Sequence, residues 1–341
     1  MLFALPAIGA ISQRHLLATS QRAAWWCLCG ILIVSVGLRF EVGGDWFNYL
    51  GHFTSMRFYS LLALWDRGDP GYYWINWLVF HSGGSIVWVN LICAGIVVAG
   101  VSRFARHQPL PWVALAVAVP YLLIVVAMGY TRQAAALGFA MIGLAALGQY
   151  QIRRFVAFVF IGALFHKSAV LLLPIAALAA TRNRLWTAFW VSIIAATGSY
   201  LFLAESAEVL WENYVQANYH SRGGMIRVMM NAVPSVLLLS FRNRLFYNEQ
   251  ERRLWLWMAA LSLLTVPLVL VSSTAIDRLA LYFIPIQMFT FARLPLLAVE
   301  RQGYQLIVAG IVAYYAAVLF VWLNYASHAY AWLPYRNYLF L

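Results

Sequence analysis

The chain reads as a succession of apolar runs separated by short polar stretches. The runs lie near residues 1–12, 23–38, 84–101, 110–128, 132–148, 155–165, 168–180, 186–204, 225–241, 254–272, 278–292 and 303–323. Runs of roughly 17–25 apolar residues cross a bilayer as helices. The pattern therefore predicts an all-α integral membrane protein, a multi-spanning helical bundle of about 12 transmembrane helices. It forms a single polytopic domain over residues 1–341. The pair 155–165 and 168–180 reads equally as one broken helix or as two half-helices. The opening MLFALPAIGAIS has neither a charged n-region nor a small-residue cleavage site, so it reads as a short first helix rather than a signal peptide.

Two stretches break this pattern. Residues 39–83 mix WFNYL, FYSLLALW and GYYWINWLVF with charges. That is too apolar for a solvated loop and too interrupted for a span, and it predicts interfacial or re-entrant helices whose backbone is buried in protein. Residues 205–224 carry Glu205, Glu208 and Glu212 at helical spacing before Gly223-Gly224, the pattern of a short amphipathic surface helix.

Composition agrees with a membrane protein: 64% of residues are hydrophobic and only 10% charged, against roughly 25% charged in soluble domains. Net charge is +12, which in a soluble chain would suggest nucleic acid. Here the charges sort by side. One set of loops holds fourteen arginines, from Arg14 to Arg301, against Glu249, Glu251 and Glu300; the opposite face holds nine basic and eight acidic residues. The positive-inside rule puts the arginine-rich loops in the cytoplasm and both termini outside. The basic balance is a topology signal, and no nucleic-acid partner follows from it. Cys27, Cys29 and Cys93 all lie in apolar runs and form no disulfide framework or zinc spacing.

The informative charges are those on the outer face, where an ionisable group at the membrane rim is a functional hypothesis by default. In RFEVGGDWFNYLGHF a helix restarting at Asp45 puts Tyr49 and His52 on its face, with Trp46, Phe47, Leu50 and Phe53 on the apolar side. An interfacial helix with Arg39 snorkelling to headgroups fits the same spacing. In GYTRQAAALGFA, Arg132 opens a helix of small residues that allow close packing; it suits either a structural salt bridge or a bidentate grip on phosphate. In GALFHKSAVLLLP, His166 and Lys167, the one lysine of the chain, sit between two short apolar segments. The histidine is suited to proton transfer or phosphate contact, and equally to a helix-end hydrogen bond. In SSTAIDRLALYFIP, Asp277 and Arg278 open another outer helix, where a surface ion pair of small worth is the plain alternative. Together, four separated segments bring cations to one membrane face, as a diphosphate ligand requires.

The order of these motifs resembles the EpsG family of polysaccharide polymerases, a Wzy-like group. The matching residues are Arg39, Val42, Gly43, Asp45 and Tyr49, then Arg132, Gln133 and Ala136, then Phe165, His166, Ser168 and Ala169, then Asp277, Arg278, Tyr282 and Phe283, within about residues 23–295. Gly44 departs from the small polar residue of the family pattern. The resemblance implies a fold like that of lipid-dependent (GT-C-like) glycosyltransferases, in the bacterial cytoplasmic (inner) membrane, with its active site facing the periplasm or exterior. It also implies a substrate, an undecaprenyl-diphosphate-linked oligosaccharide, and as further partners membrane lipid and a chain-length regulator protein. Asp45 or His166 would act as general base and Arg39, Arg132 and Arg278 as the diphosphate clamp. Tyr49, Gln133, Lys167 and Tyr282 would be further substrate contacts. No cofactor is expected, and arginines in place of a metal predict activity that survives EDTA. An O-antigen-type ligase would need the same clamp. A flippase of lipid-linked sugars would instead place charges along a path through the membrane, with inverted repeats.

Overall fold

The computed structural model describes residues 2–13, 18–180, 184–203 and 223–341. These residues are all-helical, and an isolated bridge between Arg39 and Asn337 is their sole β-type pairing. The first helices are α1 (Ala4–Ser12), α2 (Ala18–Gly37), α3 (Trp46–Thr54), α4 (Pro70–His81) and α5 (Ile86–Arg106). Next comes α6, which starts at Pro111–Ala118, widens into π turns over Val119–Val126 and ends at Ala127–Gly129. The widening coincides with Pro120, which has no amide to donate to the regular ladder. Then follow α7 (Thr131–Leu147), α8 (Ile152–Ala163), α9 (Pro174–Ala179), α10 (Arg184–Leu203), α11 (Gly224–Ser240), α12 (Glu249–Leu268), α13 (Ser273–Ala280), α14 (Pro285–Phe291) and α15 (Arg301–Tyr325). The amphipathic helix expected from Glu205, Glu208 and Glu212 lies outside the described residues.

Among the described residues, three helices are long and apolar enough to cross a membrane unaided: Ile86–Arg106, Pro111–Gly129 and Arg301–Tyr325. The pair Ser273–Phe283 and Pro285–Leu297, bent by 42°, makes a fourth. The apolar runs predict about twelve crossings. Of the other runs, Thr131–Leu147 and Gly224–Ser240 are apolar but short; Pro174 and Pro285 each restart a helix, and a turn at His166 separates α8 from the 3-10 segment Lys167–Leu172. The long helices also differ in surroundings. Pro111–Gly129 is 94% buried and Arg301–Tyr325 only 17%, so the former is the centre of the bundle and the latter its rim.

Helix α7 is packed on two sides at backbone distance. A Cβ on Gly100 would lie 2.2 Å from the Gly138 carbonyl oxygen, and one on Gly162 would lie 3.0 Å from that of Ala136. The small residues of α7 thus let α5 and α8 close on it. The first turn of α7 is also braced. Gly43, at φ 108°, sits where a Cβ would meet the Met128 carbonyl oxygen at 2.1 Å, so no other residue fits. The C-terminal segment straps the same region: Gly43 N donates to Ala331 O (2.8 Å), Phe40 N to Arg336 O (3.0 Å) and Tyr338 N to Leu38 O (2.7 Å).

Residues 39–83 form α3, two 3-10 turns (Ser55–Phe58 and Leu62–Arg67) and α4. Phe58, Leu62 and Trp65 are exposed, while Leu64, Tyr72 and Tyr73 are buried, as suits a segment lying with one side against protein and the other against lipid. On α3 the expected apolar face divides: Trp46, Tyr49 and Phe53 turn inward and Phe47 outward, because Tyr49 packs on Tyr72 with ring centres 5.7 Å apart.

Candidate functional site

The braced first turn of α7 presents Arg132. Its Nη1 lies 2.8 Å from Asp69 Oδ2, with the arginine side chain 29% exposed and the aspartate 8%. The second oxygen of Asp69 accepts from the Lys167 amide at 3.2 Å. Asp69 is held for this task by the sequence Asp-Pro-Gly: Pro70 starts α4, and Gly71 N donates to Leu164 O at 2.8 Å, where a Cβ would strike Leu164. The loop before α4 is thereby docked on the turn that carries His166 and Lys167. Burial pushes the Asp69 carboxyl up, against the opposing pull of Arg132 and the Lys167 amide. Tyr49 and Tyr72 each lie with ring centre 5.9 Å from Arg132 Cζ. The Nε of Arg132 is buried and has no partner among the described residues. At the same helix start Tyr130 supplies no side-chain cap, and the Tyr49 hydroxyl takes a backbone hydrogen bond from Arg132.

A second arginine stands beside it. Arg278 Nη1 donates to Gln133 Oε1 (3.3 Å), while Gln133 Nε2 donates back to the Arg278 carbonyl (2.9 Å). Arg278 Cζ stacks 4.4 Å from the Tyr130 ring centre. The expected surface pair of Asp277 with Arg278 is not what forms. Asp277 turns inward and pairs with Arg227 at 2.5 Å, both nearly sealed, and Arg227 also donates to the Tyr121 hydroxyl. Successive residues of one helix point in different directions, which leaves Arg278 beside His166.

His166 lies at the turn between these groups. Its Nδ1 is 2.6 Å from Ser168 Oγ, which is 3.0 Å from the hydroxyl of the buried Tyr282. Burial, then the positive charges of Arg132, Arg278 and Lys167, push the imidazole down to about 3, so it stays neutral at physiological pH.

Of the residues expected from the sequence, Arg132, Gln133, His166, Lys167, Arg278 and Tyr282 thus come together. Tyr49 joins them through its contact with Arg132. Asp45, at the start of α3, is partly exposed one turn before Tyr49; it accepts from Asn48 Nδ2 at 3.3 Å. Arg39 does not join them. It is 1% exposed, with Nε on Val42 O (3.2 Å), Nη1 on Val36 O (2.7 Å) and Nη2 on Asn90 Oδ1 (3.2 Å) and Thr131 Oγ1 (2.8 Å). Its donors go to the protein, and it braces the residue preceding Arg132.

Three participants escaped the sequence reading: Asp69, Tyr130 and Arg227. The signal for Asp69 was present in Asp-Pro-Gly, an acidic residue placed just before a helix that begins with proline. At the other end of the bundle Arg293 pairs with Glu251 at 2.5 Å and donates to Gln108, near a cavity of about 180 Å³ lined by His107, Gln108, Tyr247 and Glu251. Among the described residues no three His, Cys, Asp or Glu side chains gather as metal ligands. A family model described as EpsG family matches residues 22–337. No curated protein and no solved structure matches the chain.

Proposed function

This chain belongs to the EpsG family, and from that premise we propose that it is a polymerase of lipid-linked glycan repeat units at the outer face of the bacterial inner membrane. Family membership suggests a role in polysaccharide polymerisation. The reading adds the substrate, undecaprenyl-diphosphate-linked oligosaccharide, the reaction and the face, within a multi-spanning fold of the GT-C-like kind.

The observation that carries it is the meeting of Arg132, Arg278 and Lys167 around His166, with Asp69 holding Arg132 and the Lys167 amide. An acceptor hydroxyl attacks the anomeric carbon of the growing chain and the bond to the lipid diphosphate breaks, so negative charge builds on the departing oxygen. Arg132 and Arg278 neutralise that charge. Both oxygens of Asp69 are occupied, one by Arg132 and one by the Lys167 amide, so Asp69 orients the clamp. Asp45, partly exposed and hydrogen-bonded to Asn48, is the base assigned to the hydroxyl proton. The rings of Trp65 and Trp74, 5.6 Å apart on either side of Asp69 in the chain, suit sugar stacking.

The test is complementation of a strain lacking the gene. With Arg132→Ala or Arg278→Ala, polymer disappears while single-repeat lipid-linked product accumulates. Loss of every lipid-linked product would move the protein upstream and sink this reading. Transfer of finished chains to a different acceptor would assign a ligase.

A further inference from the structure

The order of donors and acceptors around His166 is fixed from one end. The Ser168 amide can only donate, and it reaches His166 Nδ1 at 3.4 Å. Nδ1 is therefore an acceptor and carries no proton. The Ser168 hydroxyl, 2.6 Å from the same atom, gives its single hydrogen to it. With that hydrogen used, Ser168 Oγ accepts from the Tyr282 hydroxyl at 3.0 Å. This also gives the fully buried Tyr282 hydroxyl its partner. A neutral imidazole with a bare Nδ1 holds its proton on Nε2.

We propose that Ser168 and Tyr282 lock His166 as an Nε2–H donor to an oxygen of the diphosphate, and that His166 is not the base that takes the acceptor proton. The proposal rests on the polymerase reading for its ligand, while the tautomer itself rests on the hydrogen-bond order alone. Arg132 from α7, Arg278 from α13 and Lys167 beside it surround the ring with positive charge and favour its neutral form. A base at this position would need Nε2 bare, which would reverse the Ser168 hydroxyl and leave the Ser168 amide facing a protonated Nδ1. Ser168 and Tyr282 are positioning residues, and His166 is the group that touches substrate.

Nitrogen-15 spectra of histidine-labelled protein in nanodiscs read the tautomer without any reaction, with His166→Gln identifying the signal. The expected state at pH 7.5 is neutral and protonated at Nε2; an Nδ1-protonated or doubly protonated ring overturns the proposal. In complemented cells, His166→Gln restores an N–H near the position of Nε2, whereas His166→Asn offers one near Nδ1. Polymer in the Gln variant should stay within about tenfold of wild type, and the Asn and Ala variants, at matched abundance, should lose about a hundredfold or more. Equal loss in the Gln and Ala variants overturns the donor role. Ser168→Ala and Tyr282→Phe should shift the signal toward mixed tautomers and lower polymer by up to about tenfold; an unchanged signal in both removes their positioning role. If the wild-type chain makes no polymer from lipid-linked repeats, the polymerase reading fails and the tautomer result stands by itself.

Discussion

Arg39 and Arg132 sit at opposite ends of one brace, and the chain uses them in opposite ways. Arg39 gives its donors to two backbone carbonyls, Asn90 and Thr131, and is sealed at 1% exposure. Arg132, one residue beyond Thr131, leaves Nε unpaired and 29% of its side chain open. Every guanidinium nitrogen of Arg39 has a partner and the side chain is sealed, so it is a structural part, whereas the partly open Arg132 is available to an anion. Charge at the membrane rim marks both; exposure separates them.

The largest expected effect breaks this contrast if it is wrong. Arg132→Ala should abolish polymer, a loss of at least about a hundredfold, while folded protein recovered in detergent stays near wild type. Arg39→Ala should do the reverse in origin: it orphans Asn90 and Thr131, lowers stability by roughly 3 kcal/mol or more, and reduces recovered protein. Polymer per folded molecule then stays measurable for Arg39→Ala and is absent for Arg132→Ala. Full recovery of folded but inactive Arg39→Ala protein would instead make Arg39 a ligand.

Next in size is Gly43→Ala, which tests the brace without touching any charge. Its φ of 108° disfavours alanine and its Cβ would lie 2.1 Å from the Met128 carbonyl oxygen. The strap from 331 to 338 must shift, and a destabilisation of roughly 2–4 kcal/mol is expected by thermal unfolding in detergent. A melting temperature equal to wild type would mean that residues 39–45 do not hold the start of α7.

Much of this arrangement was legible in the chain and some was not, for reasons that are physical. Helix positions follow from apolar runs, because helices are what lipid permits. The small residues of α7 announced close packing, and Gly100 and Gly162 supply it. Arg132, His166 and Arg278 were visible because outward cations are scarce. Direction was not visible. Nothing in RFEVGGD says that Arg39 points at carbonyls, and neighbouring Asp277 and Arg278 point apart only because Arg227 lies on one side of their helix. Asp69 was hidden among the other charges of residues 39–83 until the docking of Gly71 on Leu164 placed it beside Arg132.

Asp69→Asn sharpens the contrast at a smaller scale. The pair is partly open on the Arg132 side, so the substitution leaves no sealed charge, and stability should change by about 1 kcal/mol. Arg132 loses its orienting partner, and polymer should fall by roughly ten- to a hundredfold at normal protein abundance. The readout is polymer length and yield on gels normalised to membrane protein. Activity at wild-type level would mean that Arg132 needs no orientation by a carboxylate.

The smallest effect is one of pH, and its sign follows from His166. The ring is pushed down to about 3, first by burial and then by Arg132, Arg278 and Lys167, whereas an unfolded histidine titrates near 6.5. Between those values the unfolded chain binds the extra proton, so this contribution is complete above about pH 6.5 and is lost as pH falls toward 3. Melting temperature should therefore drop between pH 7.5 and pH 5, and drop less in His166→Gln, where the titrating ring is gone. Arg132→Ala removes one of the charges that hold the ring neutral but leaves it half-buried, so its acid sensitivity should lie between the two. Arg39→Ala removes no charge that faces His166, and its melting curve should move with pH in parallel with wild type. An Arg39 variant that flattened the acid response as Arg132→Ala does would place both arginines in one site and erase the distinction between brace and clamp.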